Sequence, residues 1–175
     1  LFVENNIPIQ TKSALEILSA QTLLNIEISD FQRWNGKNLD QYQLIVLSDP
    51  PALSSESSSR LVSFLNSGKN LFIVPGPNLS ANLFNRQFRS LTGENVLLDF
   101  IESGNEQHFF SISDNITSDP LLKPVFSSQA LNPEMPRVFK YFRLNSSGVP
   151  LMQFRNQQPF LSRFPANTSN SSVYV

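Results

Sequence analysis

Strand-sized apolar runs separated by helix-spaced segments are the feature that most constrains this chain. Leu1–Val3, Gln43–Leu47 and Asn70–Val74 are short, aliphatic and partly β-branched, and Ile26–Ser29 alternates apolar with polar residues. The longer runs predict continuous buried strands, and the alternating one a half-buried strand. Between them, Ala14, Leu15, Ile17, Leu18 and Leu24 follow helical spacing, with Thr11 as the expected cap. Leu53, Leu61, Val62, Phe64 and Leu65 predict a second helix despite the serine run beside them. Ser54 or Ser55 can open it, because a hydroxyl there accepts a bond from a free backbone N–H. Gly68 stands where a helix end favours a left-handed residue. A third helix is expected from Asn78 or Ser80 through Leu83, Phe84, Phe88 and Leu91 to Gly93.

Strand–helix–strand units joined by right-handed crossovers make a parallel sheet with helices on its faces. The expected fold is therefore α/β and flavodoxin-like, with the first four strands in the order 2-1-3-4. After about residue 95 the rhythm changes. Val96–Ile101, His108–Ile112, Arg137–Leu144, Val149–Phe154, Pro159–Phe164 and Ser172–Val175 read as strands, and Asp119–Phe126 as a turn with a short helical piece. Residues 1–94 are thus the alternating part and 95–175 a β-rich antiparallel extension, within one domain spanning 1–175.

Composition narrows function mainly by exclusion. The 13 basic and 14 acidic residues leave a formal charge of −1, so no basic excess exists to neutralise a phosphate backbone and nucleic acid is not an expected partner. There is no cysteine and one histidine, His108, which removes thiolate chemistry and multi-histidine metal sites. No metal, cofactor or catalytic residue is assigned, and the expectation is that the chain is not an enzyme. A hydrolase built on Ser48 with His108 as its base is the weakest alternative.

Two places invite a ligand. Open parallel sheets bind outside the C-terminal ends of their strands. Those ends carry Ser48-Asp49 and Pro75-Gly76, with Asn78 just beyond. The same residues also read as tight turns, with Asp49 accepting backbone N–H groups and Gly76 supplying a special backbone angle. The other place is the strand near residue 140. Period-2 geometry puts Arg137, Phe139, Tyr141 and Arg143 on one face, a mixed surface for an anionic or aromatic partner. A half-exposed strand whose charges block edge pairing would look the same.

Taken in order, Ser13–Leu18, Tyr42–Pro50, Leu53–Gly76, Asp119–Phe126, Met135–Leu144 and Val149–Leu161 resemble a bacterial family. It is the class I glutamine amidotransferase-like domain of BatA-type membrane proteins, which are aerotolerance-related and carry a von Willebrand factor A domain. The resemblance implies an excised piece of a longer, membrane-anchored protein. It also implies a periplasmic position and protein partners in or near the membrane, as in an envelope stress assembly. The wider superfamily places a nucleophilic cysteine on the turn that corresponds to Pro75-Gly76-Pro77, where this chain has none. The resemblance therefore implies a non-catalytic interaction module. The alternative is a sugar- or peptide-binding domain using the strand ends near Asp49 and Gly76.

Overall fold

A computed structural model describes residues 1–4, 9–20, 25–77, 79–104, 108–113, 136–167 and 170–175. In chain order the elements are β1 (Phe2–Val3), α1 (Ile9–Ser19), β2 (Ile28–Ser29), β3 (Leu44–Ser48), α2 (Ser55–Asn66), β4 (Asn70–Val74) and α3 (Ala81–Thr92). Then follow β5 (Leu97–Glu102), β6 (Lys140–Leu144), β7 (Val149–Gln153), β8 (Pro159–Pro165) and β9 (Ser172–Tyr174). The α/β class is borne out.

Seven strands form one sheet in the order β2-β1-β3-β4-β9-β8-β7. The first four take the expected 2-1-3-4 arrangement and are mutually parallel. β9 then returns from the end of the chain to lie parallel to β4. The parallel part thereby acquires the fifth position of the doubly wound order. Two side chains hold this long-range pairing. Ser171 Oγ donates to the Leu65 carbonyl at 2.5 Å, and Asn70 Oδ1 accepts the Ser172 N–H at 3.0 Å. β8 and β7 continue the sheet antiparallel, while β5 and β6 pair separately as a two-stranded arm.

Local chemistry explains the helices. Ser54 caps α2, its Oγ accepting the Ser57 N–H at 3.1 Å. Glu56 lies in the first turn, where the helix dipole favours a negative charge. Gly68 and Gly93 follow α2 and α3 at φ 85° and 78°, which a Cβ would make costly. α3 buries Phe84, Phe88 and Leu91 on one face. α1 starts at Ile9, so Thr11 lies inside the helix and is not its cap. Ser80 precedes α3, and Asn78 lies outside the described residues.

The core lies on one face of the sheet. Val3, Ile45, Leu47, Leu71 and Ile73 are fully buried against Leu61, Phe64 and Leu65 of α2 and Phe84 and Phe88 of α3. The intervening Leu44, Val46, Phe72 and Val74 are only partly covered. The continuous burial expected for β3 and β4 is thus corrected: the second face is incompletely roofed. In the second half, His108–Ile112 does not form a strand. It makes isolated bridges, Phe110 to Val138 and Ile112 to Phe154, because it spans two different partners rather than following one. The segment Asp119–Phe126 lies outside the described residues.

Candidate functional site

A buried amide sets the position of the β5–β6 arm. Asn85 on α3 accepts the N–H groups of Val96 and Leu97 at 2.9 and 3.0 Å and donates to the Leu97 carbonyl at 2.6 Å. These bonds tie the start of β5 to the helix. The arm then stands beside the C-terminal ends of β4 and β9, with the β7–β8 hairpin on its other side.

The space enclosed is a cleft of about 630 Å³. Its base is Phe72–Val74, Pro75, Gly76 and Val175. Phe100 and Phe142 of the arm pack at 4.9 Å between ring centres and form one wall. Met152, Phe154 and Phe160 form the other, with Phe154 and Phe160 edge to face at 5.3 Å. Phe100, Val74 and Phe160 stay exposed at 41 %, 42 % and 36 % around the mouth. Water-exposed apolar side chains that converge on a concavity mark a binding surface more often than scattered ones do.

The predicted residues divide. Pro75 and Gly76 line this cleft, whereas Ser48 and Asp49 do not. Asp49 instead adopts φ 46°, and its N–H donates to the Val74 carbonyl at 2.9 Å. The special backbone angle expected at Gly76 thus sits on Asp49. Gly76 provides room: a Cβ there would lie 1.6 Å from Asp49 Oδ1. Hence the two residues form a strand-end turn in which the carboxylate occupies the space a side chain would fill.

The face assigned to the strand near residue 140 also changes. Val138, Lys140, Phe142 and Leu144 line the cleft, joined by Tyr141 alone from the expected set. Tyr141 packs at 4.4 Å on Phe154. Arg143 pairs with Asp99. Arg137 lies over the Phe109 ring at 5.1 Å, and Phe109 meets Phe139 at 6.3 Å, so these three make a separate exposed patch. Alternation puts Lys140, Phe142 and Leu144 on one face of the strand, and Tyr141 reaches the same cleft from the other. Alternation could not say which face would meet the hairpin, since that depends on β8, some 20 residues further on.

A polar cluster outside the prediction joins the approach to β2 with the approach to β3. Glu27 accepts hydrogen bonds from Lys37 and Tyr42. The Lys37 bond, then the Tyr42 bond, lowers the Glu27 pKa from its ordinary value. The Glu27 bond raises Lys37, while burial, followed by the same bond, raises Tyr42. Glu27 and Tyr42 edge a second cavity of about 600 Å³ beneath α1. Among the described residues no group of three or more His, Cys, Asp or Glu is placed to hold a metal ion.

No family model and no curated protein matches the chain. Solved structures do. Gan42B, a GH42 β-galactosidase, aligns with TM-score 0.57 and 9 % identity over 94 % of this chain and 22 % of its own. The cold-adapted β-galactosidase from Rahnella sp. R3 aligns with TM-score 0.58 and 9 % identity over 99 % of this chain and 27 % of its own. The chain therefore spans about a quarter of the length of each. At such identity the likeness shows a shared fold. Both neighbours are nonetheless enzymes, which overturns the expectation that the chain is not one. A scarcity of imidazole and thiol in a segment this size does not set it apart from enzymes.

Proposed function

We propose that this chain is a ligand-binding module of a larger protein, with its seat in the aromatic cleft at the C-terminal ends of β4 and β9. The observation that carries this is the convergence of Phe100, Phe142, Phe154 and Phe160 on one concavity with an open mouth. Its volume falls in the range of small-molecule sites, roughly 300–1,000 Å³. The walls favour an apolar body over a sugar. A sugar held there would bury hydroxyls among rings and prolines, at a cost of about 1–3 kcal/mol for each group left unpaired. The β-galactoside chemistry named for the two structural neighbours is for that reason not the preferred ligand. Membership of a larger protein is supported by their length and by the resemblance to a module of BatA-type membrane proteins. An envelope location rests on that resemblance alone. Among the described residues no helix is long and apolar enough to cross a membrane.

Titration with 1-octanol, followed by amide chemical shifts, tests the seat. Changes are expected at Phe72–Val74, Lys140–Leu144 and Met152–Leu161, and are lost in Val138→Trp, whose indole fills the cleft. Binding that persists in Val138→Trp, or shifts centred under α1, would overturn the proposal.

A second reading, docking of a protein partner, is favoured by the exposed Phe109–Phe139 pair with Arg137 stacked on it. A photo-crosslinker at position 139 of the parent protein is expected to give a discrete adduct, and its absence removes this reading.

A further inference from the structure

We infer that the occupant of the cleft is an apolar monocarboxylate, its hydrocarbon body among the aromatic walls and its carboxylate on the Lys140 ammonium. This deepens the function proposed above and rests on it. Among the described side chains that line the cleft, Lys140 is the one that carries a charge at neutral pH. Its carboxylate neighbour, Glu102, pairs with it at 2.5 Å but does not line the cleft. Both side chains are about half exposed, at 52 % and 53 %. An ion pair that open is held weakly against water and salt, so one carboxylate exchanges for another at little cost.

The register of the arm grades the wall from charged to apolar. Glu102 pairs with Lys140, and Phe100 with Phe142. Alternation puts Lys140, Phe142 and Leu144 on the same face of β6. The ammonium therefore stands at one end of that face, followed by the Phe100–Phe142 ring pair and then by Leu144, which is buried in the main core. The strand covers about 13 Å over those four steps. An anionic head with an unbranched or aromatic tail matches that gradient. A cation would meet Lys140 head on, and a neutral apolar molecule would leave the Lys140–Glu102 pair unused. The remaining charged pair of the arm, Arg143 with Asp99, is not part of the lining.

Calorimetric titration at pH 7 with octanoate and with 1-octanol separates head from tail. Lys140→Met keeps the apolar stem and is expected to weaken octanoate about tenfold, through loss of a charge-assisted bond, while leaving 1-octanol within twofold. Glu102→Gln removes the competing carboxylate and is expected to tighten octanoate several-fold without affecting 1-octanol. Each methylene added to the carboxylate, from hexanoate upward, should strengthen binding about three- to fourfold. If 1-octanol binds but neither substitution changes octanoate selectively, the carboxylate assignment is wrong and the apolar seat stands. If neither molecule binds, the seat itself is wrong.

Discussion

At the scale of single residues, the turn after β3 shows how a site-like sequence can be a backbone device. Asp49 is exposed, yet its left-handed φ and its fit over Gly76 make its identity matter. Asp tolerates that conformation and β-branched residues do not. Asp49→Ile is therefore expected to cost about 1–2 kcal/mol in urea unfolding, whereas Asp49→Asn stays near neutral. Neither should alter ligand affinity, because the carboxylate lies outside the cleft lining. Unchanged stability in Asp49→Ile would contradict the strain assigned here. Asn85 is the opposite case: an unremarkable polar residue in a helical pattern that proves to be the buried clamp of β5. Asn85→Ala leaves two backbone N–H groups without their partner and is expected to cost about 3 kcal/mol. Nothing local in the sequence marks Asn85, since its partners are defined only once α3 packs on β5. Asp49 and Gly76 were legible as a special place, although with their roles reversed.

At the scale of elements, the helices with clear apolar faces and end signals were readable, and α1 was the least so. α2 buries Leu61, Phe64 and Leu65 and α3 buries Phe84, Phe88 and Leu91, whereas α1 leaves Ile17 at 67 % and Leu18 at 45 % exposure. Amide exchange in α1 is accordingly expected to be faster than in α2 and α3, since local opening there uncovers little apolar surface. Equal protection across the three helices would refute this. The Glu27 cluster ties together the segments that precede β2 and β3, and its pH dependence has a definite sign. Because the Glu27 pKa is lowered, its stabilisation is complete above the usual carboxylate range and is lost as pH falls through the lowered value. Because Lys37 and Tyr42 are raised, theirs is complete below about pH 10 and is lost as pH rises through the raised values. Urea midpoints measured against pH should show a shallower acid decline in Glu27→Gln than in the wild type. An identical decline would mean that the cluster does not couple to folding. The strands of the second half were mostly legible to within a few residues, because alternation and turns signal them locally. Their partners were not: β9 pairs with β4 across about 100 residues of chain, a choice made by tertiary contacts such as Ser171 with Leu65.

At the scale of the whole molecule, the order β2-β1-β3-β4 follows from four apolar runs, two crossover helices and the handedness of their connections. The addition of β9, β8 and β7 extends that sheet beyond what the crossovers dictate. The arm of β5 and β6 stands off it, and the cleft is the gap that this departure creates. Of the strand ends singled out in the sequence, Pro75 and Gly76 border this cleft. The residues that do the enclosing come from the antiparallel half, so no motif of the first half could name them. The most direct measurement is a crystal structure of the chain grown with octanoate. The account predicts the tail between Phe100 and Phe160 and the carboxylate within about 3 Å of Lys140 Nζ. Octanoate seated beneath α1, or a cleft filled by the chain's own side chains, would contradict it.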